Sequence, residues 1–178
     1  MAPRLFHFSD DPGIAMFEPR PVRTPSARAE GRDWLNGSLV WAIAESHDFL
    51  YLFPRECPRI LAWARPGTDE REWSHWLGAA RAVAYIEAGW LERMRAAELT
   101  RYEFPPGGFE DLDDAGMWVS RQPVEVIDRL QIADLPDRLQ ERGVRLEVME
   151  SLAPLRGLWD TSLQVSGIRL RNARDWPA

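Results

Sequence analysis

The sequence predicts an α+β fold: a mixed, mostly antiparallel sheet with helices interspersed, in a single domain spanning residues 1–178. Two observations predict it. Short runs of period-two or continuous apolar character recur along the chain, and helix-compatible stretches fall between them at irregular spacing. No internal repeat, low-complexity segment or linker divides the chain.

"RLFHFS" (4–9) alternates as a strand, with Leu5, His7 and Ser9 on one face and Phe6 and Phe8 on the other. "DDPG" turns the chain. "IAMFEPRPV" is a second short extended piece, ended by prolines, and residues 21–38 read as a long surface loop. "SLVWAIAE" (38–45) is a strand with Trp41 and Ile43 on one face and Val40 and Ala42 on the other. "ESHDFLYLF" (45–53) reads as a short helix that puts His47 and Tyr51 on one side, and "CPRILAWA" (57–64) as a strand.

The segment "EWSHWLGAARAVAYIEAGWLERMRAAEL" is mostly helix-compatible; Gly78 and Gly89 interrupt it, and "AVAYIE" fits a strand equally well. "LTRYEF" (99–104) is a strand, "FEDLDDAG" an acidic turn, and "MWVS" and "VEVIDRLQI" are strands around Gln122-Pro123. "DLPDRLQERG" is a helix capped by Asp134 and stopped by Gly143. "VRLEVME" (144–150) is a strand, and the last 28 residues read as a helix and an extended tail.

Composition narrows the chemistry. All 22 basic residues are Arg, so a lysine Schiff base, a P-loop lysine and a kinase-type lysine are excluded. Arginine remains suited to gripping phosphate or carboxylate through a two-pronged fork. The net charge of −6 argues against general nucleic-acid binding. Cys57 alone cannot form an intrachain disulfide or a Cys-rich zinc site. No stretch reads as a signal peptide or reaches the ~20 apolar residues of a membrane span, so a cytoplasmic protein is expected.

Three stretches carry candidate chemistry. His7 sits on a strand where it either satisfies the backbone or presents its ring to a cleft. In "YEFPPGGFEDLDD", Glu110, Asp111, Asp113 and Asp114 form either a solvated acidic loop or a carboxylate held at strand ends, where it could polarise a hydroxyl or steady a developing cation. Trp41 either fills the core or stacks on a planar ligand ring. Glu45 and His47 look like half of a metal site that nothing completes, and no metal is expected. The nine tryptophans are dispersed and are expected to be mostly core.

The order of "LFHFS", "VWAIAESHDFLYLF" and "YEFPPGGFEDLDD…MWVSRQPVEVI" resembles the ADP-ribosyltransferase-like fold, and within it the rifamycin ADP-ribosyltransferases. "MWVSRQPVEVI" also resembles the last motif of the RNA 2′-phosphotransferases, and the whole chain, with its tail "SGIRLRNA", resembles an uncharacterised bacterial family. The resemblance covers about residues 4–64 and 99–127 in pieces. It implies NAD as co-substrate and cleavage of the nicotinamide–ribose bond, with ADP-ribose passing to an acceptor it does not identify. By the same resemblance His7 donates to a ribose hydroxyl, with Ser9 beside it, and Trp41 lies against the nicotinamide. Asp111 or Glu110 supplies the carboxylate, and Arg20 or Arg121 pairs with the pyrophosphate.

Three departures support an alternative, a non-catalytic nucleotide- or protein-binding module on the same fold. Phe8 follows the histidine where the family has glycine, Trp41 replaces a tyrosine, and Gln122 replaces a glutamate. RNA 2′-phosphate transfer is the weaker third reading, because Asp10 and Asp11 stand where basic residues would be wanted.

Overall fold

The computed structural model describes the chain apart from Met1, Thr24, Ser26 and Ala178. It is a mixed α/β structure whose strand pairs are mostly antiparallel. The chain builds two compact units, one from Met1–Asp48 with Leu99–Gln131 and the other from Phe49–Glu98 with Ile132–Ala178.

The first unit is organised on a six-stranded sheet. Its strands are β1 (Leu5–Ser9), β3 (Val40–Ala44), β6 (Leu99–Phe104), β7 (Glu110–Asp111), β8 (Met117–Ser120) and β10 (Asp128–Ile132), in the order β10-β6-β1-β3-β8-β7. A separate ribbon pairs β2 (Met16–Phe17) with β9 (Val124–Glu125). Side chains alternate along each strand and paired residues share a face, so the registers sort the sheet into two surfaces. Leu5, Val40, Ala42, Ala44, Phe104 and Val124 pack on one, with Phe17, Phe109 and Trp118 against them. Leu35, Leu39, Leu112 and Val119 pack on the other, with Trp34, Trp41 and Met117. Leu35 comes from a 3-10 turn, Asp33–Asn36, inside the long loop.

The second unit is built on β4 (Arg59–Trp63) and β5 (Ala82–Glu87), whose residues are all buried. Burial on both faces explains why they read as continuous apolar runs rather than alternating ones. "AVAYIE" is therefore strand, and the helical pieces on either side are α1 (Glu70–Trp76), a 3-10 turn, Ala88–Trp90, and α2 (Leu91–Ala96). The flanks of the sheet are β11 (Val144–Met149), parallel to β5, and β12 (Gln164–Ile168), antiparallel to β4. The tail expected to be simply extended is thus a paired edge strand, preceded by a 3-10 helix, Ala153–Asp160.

Two local expectations change in detail. The stretch after β3 forms a 3-10 helix, Glu45–Tyr51, so three residues rather than about four complete a turn and His47 and Tyr51 do not stack on one side. Asp134 does precede helix α3 (Leu135–Glu141), but at φ 55° and without a side-chain cap hydrogen bond; its carbonyl accepts from Asp137 and Arg138 N–H instead. Gly143, at φ 73°, ends that helix as expected.

A buried polar cluster stands at the entry to β4. Arg59 is buried, and its guanidinium donates to the carbonyls of Leu50 and Cys57 at 3.1 Å each. Its charge lies 4.8 Å from the centroid of the Phe53 ring. Desolvation lowers its pKa to about 10, which leaves it charged at neutral pH. The same burial pushes the Cys57 thiol from its ordinary value of 9.0 up to about 12. The thiol is therefore structural, which predicts no reaction with thiol reagents at pH 8 until the chain unfolds. Between about pH 9 and 10 the unfolded chain releases a thiol proton that the native state keeps, so stability falls as pH rises, by up to about 1.4 kcal/mol per unit. Denaturant titrations across that window are expected to show the slope in the wild type and a flatter profile in Cys57→Ala.

Candidate functional site

The three stretches singled out in the sequence lie on neighbouring strands. β1 carries His7, β3 carries Trp41, and β8 with β7 carries the acidic segment, in that spatial order. Pairing between β1 and β6 runs over all five residues of β1. The β1–β3 ladder has only two rungs, Leu5↔Ala44 and Phe6↔Ile43. Beyond them the His7 side chain takes over: its Nδ1 lies 2.9 Å from the Trp41 carbonyl oxygen. A carbonyl only accepts, so Nδ1 carries the proton, and in the neutral ring Nε2 is the acceptor.

The imidazole sits among aromatic rings. Its centroid is 4.7 Å from Phe17 and 6.4 Å from Phe104, and Phe17 meets Tyr102 and Phe104 edge-on at 5.3 and 5.0 Å. The turn after β1 is tied down from this side. The Tyr102 hydroxyl donates to the Asp11 carbonyl at 2.5 Å and accepts from the Ile14 N–H at 3.1 Å. Ser9 Oγ accepts from the Asp11 N–H, and the Asp11 carboxylate accepts from the Gly13 N–H. Ser9 is buried and serves the turn.

The registers place the remaining candidates. Ala42 pairs with Trp118, and Trp118 with Asp111, so Trp118 and Asp111 share the face of His7. Three strand spacings of about 4.8 Å put the His7 and Asp111 backbones about 14 Å apart. One Asp111 carboxylate oxygen accepts from the Asp113 N–H at 2.9 Å. Trp41 pairs with Val119, and Val119 with Glu110; these side chains point to the opposite face. There Glu110 lies 3.6 Å from Arg121, whose guanidinium covers Trp34 at 4.4 Å. Arg20 forms an isolated bridge with Leu39 through its backbone, and its side chain is exposed.

The sheet therefore brings His7, Ser9 and Asp111 to one face and Trp41, Glu110 and Arg121 to the other. Sequence reasoning missed Phe17, Tyr102, Phe104 and Trp118, the aromatic lining of the His7 face. Trp118 carried a signal, because it shares the short strand "MWVS" with the acidic turn before it. His47, the half metal site, packs on Gly116, where a Cβ would lie 2.7 Å from His47 Nδ1; Gly116 also has φ 72°, so only glycine fits. Among the described residues no group of three His, Cys, Asp or Glu is placed to hold a metal ion, and no helix is long and apolar enough to cross a membrane.

The chain belongs to a family of unknown function (DUF6886), whose model matches residues 6–173. No curated protein and no solved structure matches it.

The Tyr102 hydroxyl gives the His7 face its first test. Tyr102→Phe removes the two hydrogen bonds that the ring hydroxyl makes to the Asp11–Ile14 turn and leaves the ring in place. A loss of about 1–3 kcal/mol is expected, read as a lower denaturation midpoint with an unchanged m value.

Proposed function

We propose that the His7 face binds NAD and that the chain transfers ADP-ribose to an acceptor, on an ADP-ribosyltransferase-like fold. One observation carries this reading: the β1–β3 ladder opens after two rungs, and the ring of His7 stands in the opening with Nδ1 held by the Trp41 carbonyl. A histidine so fixed keeps one ring orientation beside a strand gap, which suits the recognition of a ribose hydroxyl. The adjacency of the three motif strands supports the same reading.

The geometry alters the roles implied by the resemblance. With Nδ1 donating to the Trp41 carbonyl, His7 is held in one orientation and its role becomes positioning the ribose. At about 14 Å, His7 and Asp111 cannot both reach one atom, so His7 orients one end of a nucleotide-sized ligand and Asp111 serves the other. Trp118, lying between them on the same face, takes the ring-stacking role first assigned to Trp41. Arg121 is engaged with Glu110 and Trp34 on the opposite face, and Arg20, bridged to Leu39, belongs to that face as well, so neither arginine serves a pyrophosphate on the His7 face.

In the transfer, the bond from the ribose anomeric carbon to nicotinamide nitrogen breaks and its electron pair leaves with nicotinamide. The acceptor's nucleophile forms the new bond to that carbon and loses its proton. Asp111 stabilises the oxocarbenium-like charge as it develops. The location that fits this chemistry is the cytoplasm.

Calorimetry with NAD and an assay of nicotinamide release test the proposal together. Wild type is expected to bind NAD, His7→Ala to bind it at least tenfold more weakly, and Asp111→Asn to bind it while release falls at least a hundredfold. Binding with no release under any acceptor tried would favour the non-catalytic module. No NAD binding by the wild type overturns both readings of this face.

A further inference from the structure

The six-stranded sheet ends on one side at β10, whose only neighbour in the sheet is β6. Asp128, Arg129, Leu130 and Gln131 are all exposed, and Ile132 alone is buried. Among the described residues no backbone hydrogen bond joins β10 to any element beyond β6. An edge strand so placed presents a row of N–H and C=O groups that a further strand can pair. Exposed apolar surface gathers at the same place. Of the six exposed large apolar side chains among the described residues, three are here: Leu130 at 51%, Ile127 at 59% and Met16 at 47%. Met16 pairs with Glu125, two residues before Ile127.

The residues of β10 specify which strand fits. Two copies related by a two-fold axis pair antiparallel, and the axis sets one residue opposite its own copy. Centring on Asp128 would set two carboxylates face to face, and centring on Arg129 two guanidiniums; like charges directly opposite are destabilising. Centring on Gln131 or Ile132 would run the ladder past the end of the strand, toward the start of α3. Only Leu130 lets all five residues pair. Leu130 then meets Leu130, Arg129 meets Gln131, and Asp128 meets Ile132, with no like charges opposed. The charges that reject the neighbouring registers permit this one, which fixes the alignment.

We infer that β10 is a dimerisation edge: a second copy of this chain pairs with it antiparallel about Leu130 and continues the six-stranded sheet across the two-fold axis. Ile127 and Met16 widen the apolar contact beyond the strand. β6 separates β10 from β1, and the inference does not rest on NAD binding at His7.

Sedimentation velocity and light scattering over a concentration series test it. Wild type is expected to reach twice the chain mass of 20.5 kDa as concentration rises. Leu130→Asp and Leu130→Lys change a half-exposed side chain, so both are expected to fold, with unchanged circular dichroism, and to dimerise at least tenfold more weakly. Mixed in equal amounts, the two variants are expected to recover the dimer, because residue 130 faces its own copy and the heterodimer sets opposite charges together. Val148→Asp, at the exposed edge of β11 in the other sheet, is expected to dimerise as wild type does. A wild type that stays monomeric throughout overturns the inference. So does a dimer that survives both Leu130 substitutions, one that Val148→Asp weakens as strongly, or a mixture that fails to recover.

Discussion

The bond from His7 Nδ1 to the Trp41 carbonyl is where the first unit changes from scaffold to surface. A buried carbonyl at the centre of a sheet needs a donor, and the neighbouring strand ordinarily supplies one from its backbone. Here the ladder between β1 and β3 ends after two rungs, and a side chain supplies it instead. Three consequences follow from that substitution. The carbonyl is satisfied, the two central strands can part without stranding it, and the histidine tautomer is set by the scaffold. Replacing the imidazole with an apolar side chain would remove all three together.

The rest of the unit follows from the register of β3. With Ala42 opposite Trp118 and Trp41 opposite Val119, one surface gathers rings around the imidazole and the other gathers arginine–tryptophan stacks under the long loop. A slip of one residue would exchange the two surfaces, because side-chain direction has period two. The buried residues on both sides make that slip costly: Val40 and Ala42 on one face and Ile43 on the other would all have to trade environments.

This division also explains how far the sequence could be read. Alternation in "RLFHFS" and "VWAIA" sorted the faces within each strand correctly, since that depends only on local geometry. The pairing between strands depends on contacts far apart in sequence, and no local pattern states it. Order along the chain therefore groups Trp41 and Asp111 with His7, and only the register separates Trp41 from them. Trp118 shows the same gap from the other side. In the sequence it reads as part of a strand and not as a wall of the site, because its face is defined only once β8 lies against β3. The strand β12 escaped for a related reason: "QVSGI" has weak alternation, and its partner β4 lies about a hundred residues earlier.

The absence of lysine bears on the packing as well as the chemistry. Guanidinium groups lie over aromatic rings at many places here, among them Arg101 over Phe6 at 4.2 Å and Arg93 over Trp90 at 4.8 Å. A planar, weakly hydrated cation can leave water for a ring and two carbonyls, as Arg59 does, whereas a compact ammonium holds its hydration more tightly and sheds its proton more readily when buried. Arg59 illustrates the limit. Burial draws its pKa down to about 10, yet the remaining margin above neutral pH keeps the charge in place. That charge holds the Leu50 and Cys57 carbonyls together at the mouth of β4. A lysine there would start from a lower pKa, so the same burial would leave it a much thinner margin above neutral pH, and with no fork it could not clasp both carbonyls at the entry to β4.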